Sequence, residues 1–158
     1  MERISILIGV VAGLAVVGVG LHTANFTAYL GDDPAACNNC HVMDTAYESW
    51  YHSSHARWAT CNDCHTPHAL LPKYVTKVEA GLRHVTAFVL GDIPPAIRMR
   101  RSSQQIVQEN CIRCHQVTVE DVLAGPMKFD MYCFECHRQV AHGLRGIALS
   151  SLYQEGNR

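Results

Sequence analysis

The chain has 158 residues, 48% of them hydrophobic, and a formal net charge of −1. That length supports one modest domain, and so even a charge excludes the basic footprint of a nucleic-acid binder. Cysteine is the departure from ordinary composition: there are eight, every one inside a copy of C-x-x-C-H.

In chain order, the first element is apolar. No charged residue occurs from Ile4 to Gly31, and Ile4–Leu21 (ISILIGVVAGLAVVGVGL) is almost continuously hydrophobic. Eighteen residues at about 1.5 Å each give roughly 27 Å, most of a hydrocarbon core. A cleaved signal peptide usually has a shorter apolar region, and no A-x-A site follows, so residues 1–30 are expected to form an uncleaved transmembrane anchor. Arg3 precedes the span and the next Lys or Arg is Arg57. This predicts a cytoplasmic N-terminus, with the rest of the chain on the outer face of a bacterial cytoplasmic membrane. Gly9 and Gly13 form a G-x-x-x-G that suits helix pairing or is simply part of a small-residue-rich span.

The four motifs are CNNCH (37–41), CNDCH (61–65), CIRCH (111–115) and CFECH (133–137). Two thiols three positions apart reach the two vinyl groups along one porphyrin edge, and the next histidine is held beneath the iron. Zinc knuckles and thioredoxin-like pairs also use C-x-x-C, but neither asks for His after every copy. Four covalently attached haem c groups are therefore expected, on Cys37 and Cys40, Cys61 and Cys64, Cys111 and Cys114, and Cys133 and Cys136.

Residues 31–158 then hold roughly 32 residues per haem, too few for a conventional core, so the macrocycles must serve as core. The fold class expected is mostly α with sparse secondary structure: one transmembrane helix, then a compact tetrahaem domain. Cys37 to Cys61 is 24 residues and Cys111 to Cys133 is 22. This pairing suggests two dihaem units, 37–65 and 111–142, with a helical insert over 70–102. In the insert Leu71, Val75, Val78, Leu82, Val85 and Val89 recur at helical spacing. Pro72 suits its first turn and Gly91 its end; its flank carries Lys73, Lys77, Arg83 and His84, with Lys77 and His84 two turns apart on one face. A second helix is predicted to open at Ser102, capped by Gln105, and to run into CIRCH. Arg98, Arg100, Arg101 and Arg113 either face haem propionates or form a solvated basic patch.

Four irons have up to eight axial positions. The motifs supply His41, His65, His115 and His137, and six other histidines exist: His22, His52, His55, His68, His84 and His142. His22 ends the span and reads as interfacial. His55, in HSSHA, and His142, in RQVAH, are the candidate distal ligands; His52 and His68 are either exposed or bonded to propionates. At least one iron is then left without a second histidine, which suits a substrate or a partner's ligand. Met43 follows His41 by two residues, at most about 7 Å of chain. It cannot reach the opposite face of the haem, so the two compete for one side of the iron. A thioether there would raise the reduction potential; alternatively Met43 only packs on the porphyrin.

DPAACNNCHVM, HSSHARWATCNDCH, the helix with Lys77, QENCIRCH and CFECHRQVAHG, preceded by the anchor, resemble the NapC/NirT/NrfH family of membrane-anchored multihaem quinol dehydrogenases. The likeness is greatest to its small tetrahaem members, which serve cytochrome c nitrite reductase. It implies oxidation of menaquinol at the outer membrane face, and a hetero-oligomer with a multihaem catalytic reductase subunit. It also implies Met43 as a ligand of the first iron in place of His41, His55 and His142 as distal ligands, and Lys77 beside the quinol. Where some members have a carboxylate, this sequence has His84. One haem is expected to take a ligand from the partner, with the second motif (His65) as the candidate.

In the mechanism expected, quinol docks between the anchor and the Leu71–Val89 helix, and its protons leave to Lys77, His84 or Asp92 on the outer side. Rival readings are an electron donor to another reductase (nitrate or hydroxylamine), a haem-based redox or gas sensor, a terminal reductase in its own right, and a zinc protein. A sensor should carry a signalling segment, and the tail from Gly143 to Arg158 is short for one.

Overall fold

A computed structural model of the chain describes residues 2–94, 97–125 and 131–142. The tail named above lies outside them. Among the described residues the structure is helical, with no strand. Helix α1 spans Glu2–Thr23 and, among the described residues, is the one helix long and apolar enough to cross a membrane, with none of its residues buried. Asn25, at φ 49°, turns the chain out of it into a short 3-10 turn, Phe26–Leu30.

Four elements then carry the motifs. Helix α2 (Pro34–Cys37) opens on Asp33, whose carboxylate accepts from the Ala35 N–H, with proline in its first turn. After the 3-10 turn His41–Met43 comes α3 (Asp44–Tyr51), and α4 (Cys61–His65) is the second motif itself. A capping box starts α4: the Thr60 side chain accepts from the Asp63 N–H, and the Asp63 carboxylate accepts from the Thr60 N–H at 2.8 Å.

The insert forms α5 (Leu70–Leu90), ended by Gly91 in the left-handed region at φ 69°, which only glycine adopts without strain. Helix α6 (Arg101–Ala124) runs through the third motif, and α7 (Cys133–Cys136) carries the fourth. The expected capping box at Ser102 does not form. Arg100 stands at the N-cap, and the Gln105 amide instead donates to Glu109 at 3.1 Å, one turn along the same helix. Arg100 itself reaches Glu79 on α5 at 3.4 Å.

Packing follows motif order: α2 rests on α4, α4 on α6, and α6 on α7. Among the described residues only Ala36 and Trp50 are buried apolar side chains. Protein alone therefore supplies almost no hydrophobic core, as so few residues per haem would require.

Candidate functional site

None of the eight cysteines is paired in a disulfide. The Cys37 thiol is hydrogen-bonded to Cys61, and Cys64 lies near Cys114 and Cys111 near Cys133, closely enough to disfavour each other's charge. The motifs thus adjoin one another first to second, second to third, third to fourth. Side chains lock this order. Asn110, buried just before CIRCH, donates to the carbonyls of Cys64 and Thr66, both at 3.0 Å. Gln108 accepts from the Cys133 N–H at 2.8 Å. Neither was singled out from the sequence, although QENC places both on the turn entering the motif.

Two pairs of imidazoles face one another. The His55 and His115 ring centres are 6.2 Å apart, and those of His65 and His142 are 6.1 Å apart. A metal–nitrogen bond of about 2 Å on each side, with each ring centre about 1.1 Å behind its nitrogen, separates two rings across one iron by about 6.2 Å. Both pairs match that spacing. Their tautomers match as well: His55 Nδ1 faces the Val140 carbonyl at 3.0 Å, and His142 Nδ1 faces the Ala46 carbonyl at 3.1 Å and Ser49 Oγ at 3.2 Å. Donating Nδ1–H to these oxygens leaves Nε2 of each ring free for a metal. His115 sits at φ −105°, ψ 19°, a kink inside α6 in the sparsely populated region that site residues often occupy. These residues fit haem.

His142 stands across from His65, the histidine of the motif expected to take a partner's ligand. Of the motif histidines, His41 and His137, the latter just past α7, make no ring contact among the described residues. His68 and His52 are also accounted for, through the Asp63 carbonyl at 3.2 Å and Glu48 at 3.5 Å. Among the described residues no three His, Cys, Asp or Glu side chains converge.

At the first motif the ligands part company. The His41 ring is fully exposed and its Nδ1 pairs with Asp44 at 3.1 Å, whereas Met43 is half-buried. The motif is tied to the exit of α1: the Asn39 amide donates to the Ala24 carbonyl and the Tyr29 hydroxyl, both at 3.0 Å. Asn62 of the second motif reaches the same segment at the Gly31 carbonyl, 3.3 Å, and Asp32, 2.9 Å.

Helix α5 docks there too. Lys77, 14% exposed, donates to the Gly31 carbonyl, and to the Tyr29 carbonyl and Asp32, each at 3.2 Å. Lys73 pairs with Asp32, and the Tyr74 hydroxyl donates to the Leu30 carbonyl at 3.0 Å. The Lys73 hydrogen bond, reinforced by Lys77, holds the Asp32 carboxyl below its ordinary pKa. Asp32 is the carboxylate that sequence reasoning missed; once Asp33 is spent as the helix cap, its neighbour in GDDP is left for the lysines. His84 lies two turns beyond Lys77, its pKa lowered by partial desolvation and by the Arg83 guanidinium. Asp92, past the end of α5, is fifteen residues from Lys77, about 22 Å along the axis, and is not brought to it.

The sequence model of the NapC/NirT cytochrome c family, N-terminal region, matches residues 1–146. The cytochrome c-type protein NrfH of Wolinella succinogenes is 38% identical over 127 residues, 73% of this chain and 72% of its own length. The cytochrome c nitrite reductase subunit NrfH of Nitratidesulfovibrio vulgaris is 37% identical over 133 residues, 84% and 82% of the two chains. Among solved structures, a chain of the cytochrome c nitrite reductase NrfHA complex bound to the inhibitor HQNO superposes with a TM-score of 0.65 at 35% identity, covering 85% of this chain and 90% of that one.

Proposed function

Because the chain belongs to the NapC/NirT cytochrome c family, we propose that it is a single-pass membrane quinol dehydrogenase that oxidises menaquinol and passes the electrons to a multihaem reductase, cytochrome c nitrite reductase. Membership makes it a carrier of covalently bound haem c; the four motifs bring the count to four. Bound haem supplies one-electron redox chemistry at iron and, in a close row, a path for electrons.

The protein's own residues supply position and proton traffic. Met43 would hold the first iron in place of His41, which Asp44 engages instead. His115 with His55, and His65 with His142, would hold two further irons. His137 would hold the fourth, with a second ligand to come from the partner. Asn39, Lys77 and Tyr74 fix the first motif and α5 to the end of the anchor, so quinol diffusing in the bilayer meets the first haem without leaving the membrane surface. His84 is the proton acceptor, since an imidazole titrates nearest the operating pH of the side chains beside Lys77; partial burial and the Arg83 guanidinium hold its pKa below the ordinary value. Lys77 has three acceptors already, and it orients the site through them. Arg3 before the span and no lysine or arginine after it until Arg57 put the N-terminus in the cytoplasm, so the protons are released on the periplasmic side of the inner membrane.

The observation that carries the reading is the two pairs of imidazoles at one iron's spacing, on a domain whose first motif and α5 are tied to the end of an apolar helix. Similarity to NrfH from two organisms and to the NrfHA structure supports the acceptor. The test is isolation from native membranes. A pyridine haemochrome ratio of four haems per chain, reduction by a menaquinol analogue, and co-purification of a nitrite-reducing multihaem subunit are expected. Failure of the analogue to reduce the purified complex would overturn the quinol assignment.

A further inference from the structure

Helix α5 is amphipathic in the wrong sense for a soluble domain. Its half-buried stripe is Lys73, Thr76, Lys77, Ala80, Arg83 and Ala87, small or charged side chains. Its apolar stripe, Leu71, Val75, Val78, Leu82, Val85 and Val89, is 57–75% exposed and lies about 180° around the helix. A surface helix of a soluble protein turns such a stripe inward.

What covers the stripe follows from where α5 is fastened. Tyr74, Lys77 and Lys73 bond to Leu30, Gly31 and Asp32, a few residues past the last turn of the membrane helix α1. The first turns of α5 therefore start at the bilayer surface. The helix does not cross the bilayer, because Lys73, Lys77, Glu79 and Arg83 leave no uncharged run long enough to span it. The one carboxylate near the apolar face, Glu79, is neutralised by Arg83 at 3.6 Å and Arg100 at 3.4 Å. Aliphatic side chains on one face, with basic ones behind, are the composition of a helix lying in a membrane interface. The tyrosine, tryptophan and arginine anchors of a protein interface are missing from the stripe.

We infer that α5 lies along the outer leaflet with the Leu71–Val89 stripe in the acyl boundary, a second membrane contact besides α1. This rests on the reading of α1 as an anchor. The contact adds a second attachment beside the α1 exit, which stops the haem domain from swivelling about a single anchor helix and keeps the first motif at quinol depth.

The test uses the full holoprotein in quinone-free phosphatidylethanolamine/phosphatidylglycerol vesicles. One photoreactive diazirine side chain is placed at Val78, Leu82 or Val85, at Leu14 in α1, or at Val117, an exposed position on α6. Each variant is checked for intact haem absorbance, and the three α5 positions guard against one that fails to fold. Lipid adducts are expected from the α5 positions at a yield comparable to Leu14 and about ten-fold above Val117. Labelling from Leu14 without labelling from α5, adducts from α5 to protein alone, or equal yields at Val117 would overturn the inference while the anchor stands. No lipid adduct from Leu14 would overturn the anchor itself, and the inference with it.

Discussion

Met43 and Asp32 are the residues on which the site turns. Met43 is half-buried beside a His41 that faces solvent and Asp44, which is the arrangement expected if sulfur rather than imidazole holds the first iron. Met43→Leu removes the thioether and should reduce menaquinol-analogue-dependent turnover about 10- to 100-fold, read by stopped-flow reduction. Met43→His should restore binding with a lower reduction potential for one haem, read by redox titration. Asp32 gives a pH dependence. Its folded pKa is depressed, so the ion pairs with Lys73 and Lys77 contribute above the ordinary carboxylate pKa and are lost as pH falls through the lowered value. Amide exchange in the first turns of α5 should therefore rise below about pH 4, and Asp32→Asn should show the faster exchange at neutral pH with that acid step gone.

At the level of elements, the junctions between motifs are polar. Asn110 ties α6 to the end of α4 through two carbonyls. Asn110→Ala leaves both oxygens buried without that donor, and should destabilise the holoprotein by about 1–3 kcal/mol, read as a lowered thermal midpoint. The expected structural consequence is local: the second and third motifs separate, so His55 and His65 lose register with partners carried on the other side of the junction. Helix α5 depends instead on its ends. Gly91 holds φ 69°, and Gly91→Ala should cost about 1 kcal/mol, seen in the same melting experiment.

The whole molecule is a row of attachment sites with very little protein between them. Trp50, one of two buried apolar residues among those described, donates to the Ala59 carbonyl at 3.0 Å and so staples the first motif's helix α3 to the approach of the second. Such a chain gains most of its apolar contact from the groups it binds. It also ends the row on His137, which makes no ring contact among the described residues. A partner that completes that iron should change its spin state on docking: removing the reductase subunit is expected to convert one haem from low-spin to high-spin, visible by electron paramagnetic resonance. An unchanged spectrum would move the partner contact elsewhere.

The sequence by itself determined what is local. The spacing of Cys and His fixes where haem attaches because thioether geometry is satisfied within five residues, and the run Ile4–Leu21 makes an anchor because hydropathy sums over a single helix. The period of Leu71 to Val89 likewise made α5 legible, nearly to its ends. Only the tertiary structure decided which histidines face each other, since His55 and His115, or His65 and His142, lie far apart in the chain and meet through the Asn110 and Ala46 contacts. It also decided that Asp32 rather than Asp92 answers the lysines, and that the apolar stripe of α5 points outward. Periodicity gives a helix two faces without saying which is covered; that depends on what the helix is fastened to, and here it is fastened beside a membrane.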